Sequence, residues 1–467
     1  MSTIADQPSE KTVPAPDGRR SGRGPWPLIT RLHFYAGVLV APFLILALLT
    51  GLAYAFTPQL DRLVYGDELR VERVAGTPRP LAEQVRAART AHPEGSVSSV
   101  ISPATAEDTT RIVLSVPELK PKQRTVYVDP YSGEVTGALT TDSGSTPVTT
   151  WLSELHRSLH LGEAGSLYSE LAASWLWVIV LGGVVMWFGR RRHYRGTARA
   201  HRALWHDRSA RGVRRTRGRH AALGVWLAAG LLLLSATGLT WTNHAGARFD
   251  KLQAGVRSTP PELDTGVPSS GAHHHGTGGS AGDPATHIDH VLAAARTAGL
   301  NGPVELGPPE KPGTAWTVTQ VDDVWPVRKD KVAVDAAAMK VTDRVGWSEH
   351  PPMAKLSSLG IQLHMGKLFG IANQLALAFL ALGLLTVLLW GYRMWWQRRP
   401  TRDSSRAIAG RPPARGALRQ LPVPALLFLI VVVAAIGWSL PVLGISLLAF
   451  LALDTLTGMA RSATRRT

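Results

Sequence analysis

The chain has no cysteine in its 467 residues. Disulfides, thiolate metal sites and cysteine-held iron–sulfur clusters are therefore excluded. No Gly-x-Gly-x-x-Gly follows a strand-like run, and there is no Walker loop and no His-Glu-x-x-His. The signatures of a nicotinamide or flavin fold, an NTPase and a zinc peptidase are thus missing. Acidic residues are almost absent from the apolar runs, where an ion or metal transporter would need them. An unbroken globular pattern is also missing: mean hydropathy is close to neutral only because greasy runs and polar stretches average out.

What is present is membrane sequence. Runs near Leu32–Phe56, Leu171–Phe188, Ala221–Trp241 and Ile371–Trp390 can each cross a hydrocarbon core of about 30 Å. A longer run, Leu421 to Leu453, is interrupted by Gly437 and Pro441 and reads as a helical hairpin. The formal charge of +17 is concentrated in the first tail, between Arg190 and Arg219, between Arg398 and Arg419, and at the end. Basic loops stay cytoplasmic, so both termini are expected inside, two large polar segments outside, and the protein in the cytoplasmic membrane as a multi-pass chain. That placement accounts for the basic loops without nucleic acid. The expected division is a disordered cytoplasmic tail at 1–29, spans at 30–57, 169–189, 220–243 and 369–396, and external domains at 58–168 and 244–368. Basic loops fill 190–219 and 397–420, the hairpin 421–455 and a tail 456–467. The first tail is polar, and the apolar run behind it is too long for a cleavable signal.

The chain is also an internal repeat. His33, Gly37 and Thr50-Gly51-Leu52 recur at the same spacing as His220, Gly224 and Thr237-Gly238-Leu239. Leu159-His160-Leu161-Gly162 is answered by Leu363-His364-Met365-Gly366, and Met186-Trp187 before arginines by Met394-Trp395. The polar segments repeat too. Ala87–Ala91 and Ala294–Ala298 are the same five residues, each in a helical pattern and each followed by alternating strand-like stretches. One helix on a small antiparallel sheet is the expected α+β fold for each segment. The fold class is an α-helical integral membrane bundle, four core transmembrane helices plus a C-terminal hairpin, carrying two such extracytoplasmic domains.

These words resemble the PepSY-associated transmembrane family. They include Arg31-Leu32-His33-Phe34-Tyr35-Ala36-Gly37, Leu155-His156-Arg157-Ser158-Leu159-His160, Leu363-His364-Met365-Gly366 and the Met-Trp-Arg span ends; Val126–Val135 is similar to the end of a PepSY domain. The resemblance implies an iron-regulated membrane protein or an inner-membrane reductase that frees iron from ferric siderophores with two b-type haems. The alternative is a non-redox sensor or peptidase regulator. A metal-uptake accessory or transporter is a third reading, supported only by His273-His274-His275 in a Gly/Ser-rich linker. The electron donor would be a cytoplasmic reductase or a membrane quinol.

Histidine is costly in lipid unless it has a task, and here it falls in two layers. His33 and His220 belong near the cytoplasmic face; His156, His160, His364 and His244 belong near the outer one. Paired neutral imidazoles in a helical bundle are what low-spin haem iron requires. Gly37 and Gly224, one turn on from their histidines, leave the same helix face open to a flat macrocycle. The bland alternative for His33 and His220 is helix-end anchoring beside Arg31 and Arg219, and their identical placement in two repeats argues against it. His156 and His160 are four apart. The repeat register favours His160 as the partner of His364, and the Leu-His-Arg word favours His156. His244 is as well explained as a helix-end residue, and His193, His201 and His206 as solvated members of the basic loop.

Overall fold

The computed structural model describes residues 26–192, 209–267, 283–397 and 422–463. The basic loops' centres, with His193, His201 and His206, and the His273–His275 tract lie outside these residues.

The chain enters through α1 (Trp26–Leu39) and α2 (Ala41–Ala55), then the short helices α3 (Thr57–Val64) and α4 (Gly66–Leu69). Next come α5 (Leu81–Ala91), β1 (Ser96–Ile101), β2 (Thr110–Ser115), β3 (Gln123–Val128), β4 (Val135–Thr141) and α6 (Pro147–Ser158). The long helices α7 (Gly162–Arg192) and α8 (Gly212–Leu239) lead to α9 (Ala245–Gly255) and α10 (Ile288–Thr297). Strands β5 (Val304–Gly307), β6 (Trp316–Gln320), β7 (Lys331–Asp335) and β8 (Lys340–Val345) precede α11 (Pro352–His364) and α12 (Ile371–Gln397). The C-terminal hairpin is α13 (Val423–Ser439) and α14 (Pro441–Ala463).

Among the described residues, α7, α8 and α12 are long and apolar enough to span a membrane, and α1 with α2 is long and apolar enough only as a pair, bent by 56°, as in a broken span or a re-entrant loop. The bend has a local cause. Pro42 sits in the first turn of α2 and has no N–H to offer the carbonyl of Val38. That carbonyl instead accepts from the Tyr392 hydroxyl of α12 at 3.0 Å. The spans share a core that includes Leu44, Trp175, Leu227, Leu231 and Leu384. The hairpin joins it through Leu443 and Leu447, with Trp175 Nε1 donating to Ser446 Oγ at 2.8 Å.

The two polar segments were expected to form separate sheets. They form one antiparallel sheet of eight strands, ordered β4-β3-β2-β1-β5-β6-β7-β8. Each half is a meander, and β1 pairs with β5 at the seam, Val100 opposite Leu306 and Ile101 opposite Glu305. Joining the halves removes two free sheet edges. A single apolar core runs across the seam, from Val85, Ile112 and Val126 to Ile288, Val318 and Val332. Helices α5 and α10 cover it and are tied to each other: Asp289 accepts from the backbone N–H of Leu81 and Ala82 at 2.7 and 3.2 Å, capping α5. The sheet is fastened to the bundle by Asp323, which binds Lys329 at 2.9 Å and Lys367 at 3.1 Å, and by the Trp325 N–H to the Leu368 carbonyl at 2.7 Å.

Candidate functional site

Each half delivers one histidine to each end of the bundle, and across the halves they meet in pairs. At the end away from the sheet, the rings of His33 (α1) and His220 (α8) have centroids 6.2 Å apart at 86°. At the sheet end, His156 (α6) and His364 (α11) stand 6.4 Å apart at 53°. Along the unbroken α8, His220 and Thr237 are seventeen residues apart, so the two pairs are separated by roughly 25 Å of helix rise.

How each ring is held shows which nitrogen it presents. His33 Nδ1 lies 2.8 Å from the Ile179 carbonyl of α7, and His220 Nδ1 lies 2.9 Å from the Val387 carbonyl of α12. A carbonyl can only accept, so in each of these rings Nδ1 carries a proton. At the sheet end Nδ1 of His156 is 3.0 Å from Thr50 Oγ1, and Nδ1 of His364 is 3.0 Å from Thr237 Oγ1. Each threonine spends its single proton on its own helix, Thr50 on the carbonyls of Leu46 and Ala47, Thr237 on those of Leu233 and Leu234. The hydroxyl oxygen therefore accepts, and again Nδ1 is the protonated nitrogen. All four imidazoles are thus held through Nδ1, the arrangement by which a metal-binding histidine is oriented. Burial pushes His156 down to about 4, with His364 nearby adding to the effect, and burial lowers His364 as well. Both are neutral at pH 7.

Glycines make room for the rings. A Cβ on Gly51 would meet His156 Cε1 at 3.0 Å, and one on Gly238 would meet His364 Cε1 at 3.1 Å. Gly183 stands in the same way against His33, at 3.2 Å. Gly37 and Gly224 face open space within 4 Å. Between the spans at the sheet end lies a cavity of about 270 Å³ lined by both histidines, Gly51, Gly238 and apolar residues such as Leu44 and Leu231.

His160 does not join either pair. It follows the end of α6 with φ of 55°, contacts Glu154 at 3.1 Å, and lies 5.2 Å from the Trp151 ring. The geometric counterpart of His364 is His156. His244 immediately precedes α9, where the buried Glu170 of α7 accepts from its backbone N–H at 3.2 Å and from that of Ala245 at 2.9 Å. Its ring also contacts Glu170, at 3.2 Å, and is half exposed. Thr50 and Thr237 stood out in the sequence as repeated words without a task. The acceptor carbonyls of Ile179 and Val387 leave no trace in side-chain identity.

A family description, PepSY-associated TM region, matches residues 30–398. The chain belongs to this family. The match covers all four histidines of the two pairs and stops before the C-terminal hairpin, which is an addition to the shared region. None of the curated proteins matches the chain.

The residues present fit haem. Among the described residues no group of three or more His, Cys, Asp or Glu gathers to enclose a bare ion; the histidines come in pairs, the number of axial imidazoles that bis-histidine haem takes. Two imidazoles bound through Nε2 on opposite sides of one metal, at about 2.0–2.1 Å each, put their ring centres roughly 6–6.5 Å apart. Both observed pairs fall in that interval.

Proposed function

We propose that this membrane protein is an electron conduit that holds haem b at His33/His220 and at His156/His364, and reduces a ferric chelate on the sheet side for iron acquisition. The observation that carries this reading is the pair of opposed imidazole sets, each ring locked by Nδ1, near the two ends of one bundle. Bound haem would supply a reversible one-electron iron couple, which none of the side chains offers. The chain's own share is to hold four imidazoles through Nδ1, keep water away with apolar spans, and set the two pairs roughly 25 Å apart. Each ferric ion takes one electron, and a cytoplasmic reductase or a membrane quinol is the class of donor. The arginine-rich segments favour the His33/His220 end as the cytoplasmic one.

The test is a vesicle experiment. Purified protein in liposomes loaded with dithionite should turn external ferric citrate into ferrous iron, read by an impermeant ferrous chromophore. A rate equal to that of empty liposomes, with the protein inserted in both orientations, would refute the reading.

A further inference from the structure

The hairpin α13–α14 lies beyond the region that the family shares. Its two helices touch backbone to backbone, since a Cβ on Gly444 would collide with Gly437 Cα. Such close packing makes the pair one unit rather than two loose helices. Ser446, Phe450 and Asp454 recur every fourth residue and form one stripe along α14. Each of the three reaches a helix of the first half. Ser446 Oγ accepts from Trp175 Nε1 of α7 at 2.8 Å. The Phe450 ring lies 5.9 Å from the Tyr35 ring of α1 and 6.3 Å from that of Trp175. Asp454 pairs with the buried Arg31 of α1.

These are the two helices that hold His33. Helix α1 carries it, and α7 supplies the Ile179 carbonyl for its Nδ1 and the space at Gly182 and Gly183 for its ring. Trp175 stands one turn before Ile179. Arg31 and Tyr35 lie two residues to either side of His33, on the far face of α1. At the same intervals from His220 and Val387 the second half has Gly218, Ala222 and Gly383. None of these has a ring or a charge with which to grip another helix. The repeat has kept its histidines and diverged where the hairpin is seated. We infer that α14 is a clamp on the His33 side of the inner pair, and that Asp454, acting through Arg31, is a positioning residue for the haem held there. A carboxylate and a guanidinium satisfy each other in few arrangements, so their pairing fixes the rotation and depth of α1 more closely than apolar packing would. That setting carries through two residues of helix to His33. The sheet-end pair is borne by α6 and α11, which none of the three contacts reaches.

The inference rests on the haem reading for the group that is held, and the clamp can also be read without haem. Haem is titrated into full-length protein stripped of its pigment, with His364→Ala as the background that reports the inner pair and His220→Ala as the one that reports the outer. Asp454→Asn should weaken the inner event about tenfold or more and leave the outer one alone. Arg31→Met/Asp454→Leu should regain the melting temperature yet keep the weakened inner event, because an apolar pair packs without fixing α1. In haem-free protein Asp454→Asn should raise the modification of His33 by diethyl pyrocarbonate, counted by mass spectrometry, with His156 unchanged. Both haem events weakened alike, or inner affinity recovering together with the melting temperature in the double variant, would make Asp454 a purely structural residue. Unchanged affinity and unchanged His33 reactivity in Asp454→Asn would remove the clamp. A wild type that takes up no haem, with His33 alone becoming reactive in Asp454→Asn, would instead refute the haem reading and leave the clamp.

Discussion

Replacing Thr237 with valine keeps the shape of the side chain and deletes one acceptor. His364 Nδ1–H would then lose its 3.0 Å bond to Thr237 Oγ1 and keep only the backbone carbonyl of Leu234. Losing one such hydrogen bond costs about 0.5–1.5 kcal/mol. Losing the residue that orients a metal-binding imidazole typically costs 10–100-fold in affinity, or about 1.4–2.8 kcal/mol at 1.4 kcal/mol per decade, so the two estimates meet near tenfold. The assay is haem titration into protein stripped of its pigment, with the low-spin Soret band as readout. Thr237→Val should weaken one of two binding events by about tenfold and leave the other alone. Thr50→Val should weaken that same event, because Thr50 holds the opposite ring. Unchanged affinity in Thr237→Val, with loss of that haem in His364→Ala, would show that the threonines do not orient the ligands.

His364→Ala and His156→Ala should each remove or convert to high spin the same haem, whereas His160→Ala should be spectrally silent; a loss on changing His160 would reassign the pair. Asp454→Leu should lower the melting temperature, because the buried Arg31 pairs with this carboxylate of α14, and Arg31→Met/Asp454→Leu should recover most of the loss. A cysteine placed at Ser132 should be labelled by an impermeant reagent on intact cells and one at Ser209 should not; the reverse pattern would invert the two ends. Burial alone would raise the Asp323 carboxyl, but Lys367 and Lys329 outweigh it and hold it below the ordinary range. A depressed carboxylate contributes stability above the unfolded-state value of about 3.9 and loses it as pH falls through the folded one. Asp323→Asn should therefore lower the melting temperature at pH 7, and the difference from wild type should shrink below about pH 4.

The repeat made His33 and His220 legible, because the same residue at the same spacing in two spans needs a shared cause. The spans and the hairpin were legible from hydropathy, and the bend at Val40 has its cause in Pro42, which was in plain view. The choice between His156 and His160 was not. Four residues apart they share a face only if the helix continues, and it ends at Ser158, with Leu159 and His160 both at positive φ. That backbone turn carries His160 away from the cavity. The single sheet was also hidden, since the β1–β5 seam joins strands some two hundred residues apart through backbone bonds that no pattern encodes. Thr50 and Thr237 were visible as a repeated word, yet their task depends on helices from elsewhere in the chain.

The central claim is that each opposed histidine pair holds one haem. The most direct measurement is the pyridine haemochrome content of purified protein, set against protein concentration from amino-acid analysis. About two b-type haems per chain, falling to about one in both His220→Ala and His364→Ala, is the expected result. A protein that carries none after expression with ample haem supply would contradict it.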